Sequence, residues 1–231
     1  MSEEFEVTSE LVGRIEEILG RGLCHGQGDP SKQMCVEAAV CYAMGLPHGD
    51  NPPCVGEAVR FFKMSLNDST WSSDLARANG MRKIAIAQLG SNTLDQVEFA
   101  RIISEKTIRI LIPTLFREVF KANQACLKAA DLCETGAGSA DTAYAASNTA
   151  AAAAHAAART AADAARATRA AYAAYAASYA TTAAASYAAA TLDGGVTVSD
   201  KYLILSAELC FQALDEMNSP GAVWMKANNW Q

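Results

Sequence analysis

The sequence lacks any uninterrupted apolar run near the roughly 20 residues that a membrane-crossing helix requires, which excludes a helical membrane span. It also lacks a surplus of positive charge. Nineteen Lys and Arg stand against 25 Asp and Glu, for a formal net charge of −6, so no global field draws the chain to nucleic acid or to an acidic membrane face. Ordered cysteine spacing is missing too. The seven cysteines (Cys24, Cys35, Cys41, Cys54, Cys126, Cys133, Cys210) are odd in number and irregularly placed. They contain no Cys-x-x-Cys pair, and no His-x-x-x-His pair joins them. Neither a disulfide framework nor a pre-set tetrahedral zinc site is indicated, and the expectation is free thiols with no metal and no cofactor. The opening residues through Glu6 are acidic where an export signal is basic and then apolar, which predicts a cytoplasmic setting.

What is present is a helical composition. Hydrophobic residues make up 51% of the chain and charged residues 19%, enough apolar surface for a core. After a tail over residues 1 to 8, Leu11, Ile15, Ile18 and Leu19 share one helical face, with Ser9 as cap and Gly20 and Gly22 as stop. Asp29 and Pro30 read as cap and first residue of a second helix running to about Met44, with Gly45 in the left-handed position beyond it. Val55, Val59, Phe62 and Leu66 mark a third helix, and Ser72 or Ser73 caps a fourth that ends near Gly90. A longer helix is predicted from about Thr93 to Ile112, with Pro113 starting or kinking the next, which runs to Cys133. Glycines at 136 and 138 mark a boundary; Val196 to Ser199 reads as a short extended segment, and Ser199 with Asp200 caps a last helix through Met217. The expected fold is all-α: a multi-helix bundle of residues 9 to 134, an alanine-rich segment at 140 to 192, and a C-terminal helix and tail at 196 to 231 that pack on the rest.

From Ala140 to Thr191, 30 of 52 residues are alanine, the strongest helix former, and the stretch has neither proline nor glycine. One long helix or a helical hairpin is predicted. Alanine lets two backbones approach closely, so this segment is the expected route to a homo-oligomer. Tyr172, Tyr175 and Tyr179 form a stripe on one face that suits packing better than ring stacking.

Chemically capable side chains are densest between Cys24 and Arg82, on two loops and the helix starts beside them. Glycine loops expose backbone amides, Trp71 offers a ring for stacking, and Arg77 with Arg82 suits an anion. His48, Asp50, Asn67, Ser72 and Ser73 complete the expected ligand site. A second chemistry is open at the same place: Cys35, in the first turns of a helix, could be a nucleophile with His48 as base and Asp50 as orienter. Against it, a cysteine within an apolar helix is more often a small core residue.

The segments Lys32 to Cys41 (KQMCVEAAVC), Gly45 to Asp50 (GLPHGD), Leu66 to Asp68, Trp71 to Ser73 and Ala87 to Ser91 resemble an uncharacterised family of hypothetical proteins in phages, prophages and bacteria. The resemblance covers about residues 22 to 120. It implies a setting, an accessory phage or bacterial protein, with interference in host defence as a plausible role, and it assigns no residue a function. The expected function is a non-enzymatic binding protein that holds or sequesters a small polar or anionic, nucleotide-like ligand. The alternatives are an oligomeric helical scaffold and a cysteine-dependent hydrolase.

Overall fold

The computed structural model describes residues 5 to 122, 124 to 135, 177 and 195 to 230. Among these the chain is helical and contains no strand; isolated bridges from Leu23 and Gly28 to Met34 are its only β pairing. The elements are α1 (Ser9–Leu19), α2 (Val36–Ala43), α3 (Glu57–Asn67), α4 (Asp74–Ala87), α5 (Gln96–Lys106), α6 (Ile112–Val119), α7 (Gln124–Thr135), α8 (Val196–Glu216) and α9 (Pro220–Ala227). The alanine-rich segment, its tyrosine stripe and the oligomer contact expected of it lie outside the described residues.

Helix α4 is the axis of the bundle. α1, α2, α8 and α9 all pack on it, while α3 lies against α5, and α6 against α7. Its sequence explains this position. Ala78, Met81, Ile84, Ala85, Ile86 and Ala87 are buried on several faces, so the helix is enclosed rather than amphipathic. Close approach is built in with glycine. A Cβ on Gly80 would stand 2.4 Å from the Trp71 ring, and one on Gly221 would stand 2.0 Å from the Ile86 carbonyl oxygen.

The long C-terminal helix α8 lies along α4 and is fastened at both ends. Near its start, Ser72 donates from its backbone N–H to Asp200 Oδ1 at 2.9 Å and from its hydroxyl to Oδ2. Along its length, Tyr202 donates to Glu118 Oε2 at 2.8 Å, and Lys106 meets Glu216 at 2.7 Å.

Local structure departs from the sequence expectation in four places, one being the helix expected from Pro113 to Cys133, which is broken between α6 and α7 after Val119. The second helix begins at Val36 rather than at Pro30: residues 33 and 34 fold back on residues 24 to 29, and Asp29 accepts from the Ser31 amide and hydroxyl as a turn. The helix expected from Thr93 to Ile112 starts later and is interrupted. Asp95 caps α5 at the Val97 and Glu98 amides, and Thr107–Leu111 is a π-helical turn before Pro113. Proline cannot donate to the carbonyl four residues back, and the wider turn absorbs the mismatch. Val196 to Ser199 is not extended but is the first turn of α8, released by Gly195 at φ +54° and held by Val198 against the core.

Candidate functional site

The two polar loops and the start of α4 do meet, as the spacing predicted, but their side chains turn inward and hold one another. Asn67, at the end of α3, donates to the Cys24 carbonyl at 2.9 Å, and its oxygen accepts from the Val36 amide at 3.3 Å. Asp68 accepts from the Gly26 amide at 2.8 Å. Gly28 completes this loop at φ +72°, where a Cβ would lie 2.2 Å from the Gln33 carbonyl oxygen, so only glycine fits. Arg77 is buried. It donates to the carbonyls of Asn67 and Leu23 at 2.8 and 2.7 Å and to Asp74 at 2.8 Å, which satisfies backbone acceptors at the end of α3 and in the loop.

The remaining expected ligand residues are occupied too. The Trp71 ring is buried against Gly80, with its indole N–H donating to the Leu66 carbonyl at 3.0 Å. Ser72 holds Asp200, and Ser73 caps α4 by accepting from the Ala76 amide at 3.0 Å. Arg82 is not brought to this place. It forks onto Glu16 of α1 at 2.9 and 3.1 Å and lies over the Trp230 ring, 4.5 Å from its centroid. His48, exposed, sits 3.1 Å from the Gly28 carbonyl oxygen, and Asp50 lines a cavity of about 30 Å³ with Cys35, Asn67 and Asp68, room for about one water.

Cys35 caps α2, its sulfur accepting from the Ala38 amide at 3.4 Å. Burial pushes its thiol up to about 12, outweighing that amide, so the thiolate a nucleophile needs is scarce at neutral pH. All seven cysteines are free, and no cluster of three or more His, Cys, Asp or Glu among the described residues has metal-binding geometry.

An open groove lies elsewhere, between α1 and the end of α2. A groove of about 510 Å³ is lined by Arg14, Glu17, Ile18, Arg21, Tyr42 and Leu46, among others. Arg14, Glu17 and Ile18 fall at helical spacing on α1, and Arg21 follows in the turn just past its end. Tyr42 projects from α2 with 47% of its surface exposed. Ile18 gives an apolar floor, and Gly45, at φ +70°, turns the chain away behind Tyr42. A shallower extension of about 260 Å³ continues past Arg14 toward Thr8 and Met44. Arg14 also donates to the Ala43 carbonyl at 3.2 Å, which fixes its stem at the α2 end of the groove.

The charges here are paired at the surface, Arg14 with Glu10 at 2.7 Å and Arg21 with Glu17 at 2.5 Å, in addition to the Arg14 bond to the Ala43 carbonyl. Such pairs are worth about 0.3–0.5 kcal/mol, little enough for an anion to displace. Sequence reasoning missed Arg14, Arg21 and Tyr42 because surface arginines and a single tyrosine carry no motif. The available signal was Arg14 on the polar side of an amphipathic helix, with Arg21 seven residues on, just past its glycine stop.

Comparison with protein-family models, with curated proteins and with solved structures returns no match to this chain. No helix among the described residues is long and apolar enough to cross a membrane.

Proposed function

We propose that this is a non-enzymatic helical binding protein that holds or sequesters a small anionic, nucleotide-like ligand in the groove between α1 and α2. The observation that carries the reading is the joint presence of two displaceable guanidinium groups and an exposed phenol ring around one groove of about 510 Å³. That volume falls in the range of small-molecule sites. Arg14 and Arg21 take the acidic group through charge-assisted hydrogen bonds, Tyr42 covers a planar ring, and Glu17 accepts from a hydroxyl or exocyclic amine. The arginines first expected to form the clamp, Arg77 and Arg82, serve instead to hold backbone carbonyls and the C-terminal tail. Sequestration of a signal nucleotide by an accessory phage or bacterial protein is the biological role this chemistry would serve.

Native mass spectrometry of the expressed protein, compared with its denatured mass, tests the reading. A retained phosphate-bearing molecule that is lost from the Arg14→Ala, Arg21→Ala double variant is expected. A retained molecule unaffected by that double variant would place the ligand elsewhere and remove the groove from the account.

A further inference from the structure

The centre of the bundle contains a polar cluster that the groove does not use. Glu37 of α2, Lys63 of α3 and Gln88 at the end of α4 have no exposed surface. Lys63 Nζ lies 2.7 Å from Glu37 Oε1 and donates to Gln88 Oε1, while Gln88 Nε2 faces the Ala85 carbonyl at 3.4 Å. Apart from that ion pair, neither carboxylate oxygen of Glu37 takes a hydrogen bond among the described residues. The Lys63 amine is thus in reach of both a carboxyl and a carboxamide inside the apolar core. A full charge pair is a poor occupant of such a place, because desolvation favours the neutral acid and the neutral amine. Burial raises the Glu37 carboxyl above its ordinary value despite Lys63, in the same direction.

We propose that Lys63 and Gln88 are a self-modification site, joined by an intramolecular isopeptide bond that forms once the core has closed, with Glu37 carrying the proton. Proton transfer from the Lys63 ammonium to Glu37 frees the amine. Nζ attacks Cδ of Gln88, the new Cδ–Nζ bond forms, and the Cδ–Nε2 bond breaks. Glu37 delivers a proton to the departing nitrogen and receives one from Nζ, so one ammonia leaves and Glu37 ends as the neutral acid, holding the proton first taken from the Lys63 ammonium. No electron is transferred and no co-reactant is consumed. The three side chains have no exposed surface, which favours aminolysis over hydrolysis by bulk water. Fixed reactants in such sites reach effective concentrations of about 10⁵–10⁸ M, which offsets the low reactivity of a carboxamide. The product would tie the middle of α3 covalently to the end of α4 across a sequence separation of 25 residues.

Denaturing intact-mass measurement of the full chain, corrected for any removal of Met1, followed by peptide mapping, reads this out without relying on any variant to fold. The expected result is a mass one ammonia below that of the sequence and a branched peptide containing both Lys63 and Gln88. A Glu37→Gln chain is expected at full sequence mass. The full sequence mass for the unaltered chain, with Lys63 and Gln88 in separate peptides, would overturn the proposal, as would an ammonia loss mapped elsewhere. Ammonia loss that persists in Glu37→Gln would overturn the role assigned to Glu37.

Discussion

Cys35 stands where the helix dipole favours a thiolate, yet its surroundings decide otherwise, since desolvation outweighs one amide donor. Alkylation of the folded protein near neutral pH is therefore expected to label the partly exposed Cys24 well before Cys35, with Cys35 modified only on unfolding. The same shift gives a pH dependence. Cys35 keeps its proton in the fold up to about 12, whereas the unfolded thiol loses it from about 9. Between those values the folded state binds more protons, so stability is intact below the lower value and falls as pH rises. Cys54 and Cys210, pushed up to about 11 and about 12 by burial, add to the same slope. A urea midpoint that stays flat through this alkaline window would contradict the burial of these thiols. At this scale the structure shows internal hydrogen bonds where the sequence suggested ligand contacts. Asn67, Ser73 and Arg77 were legible as polar residues near loops, but whether a guanidinium faces a ligand or two backbone carbonyls depends on which loop folds over it, and periodicity carries no such information.

Helices were the most legible elements because apolar spacing and caps report local energetics directly. Thr8, one residue before the expected Ser9, caps α1 by accepting from the Leu11 amide, and Gly45 takes its left-handed conformation after α2. The misses share a tertiary origin. Pro30 does not start a helix because the chain around it pairs with Leu23 and Gly28, and Val196 joins a helix because α8 has α4 to lie against. The contact between α4 and the loop before it rests on the missing side chain of Gly80. Gly80→Ala should raise helix propensity and still destabilise the protein by about 1–3 kcal/mol, because the added methyl meets the Trp71 ring. Chemical denaturation of the variant checks the sign; a gain in stability would mean that the ring does not sit where the structure has it.

Across the whole molecule, the C-terminal helices complete the core rather than decorate it. Tyr202, Leu203, Leu209, Cys210, Ala213 and Leu214 of α8 are buried with residues of α4 and α5, and Ser219 donates to the Ala87 carbonyl. A chain ending after Thr135 would expose that surface, and it is expected to lose cooperative thermal unfolding; a sharp transition in the truncated chain would show that residues 5 to 135 fold alone. The formal net charge of −6 repels anions in general, and Glu10 and Glu17 balance Arg14 and Arg21, so the proposed site requires an anion to displace those two carboxylates from the guanidinium groups.

An amide and side-chain NMR titration of the full chain with adenosine monophosphate tests the location of the anion site. Saturable shifts centred on Arg14, Arg21 and Tyr42, weakened about tenfold in Arg14→Ala as expected for loss of one charge-assisted contact, are the predicted result. Shifts confined to the neighbourhood of Trp71 and Arg77, or no saturable shift at the α1 and α2 groove, would contradict it.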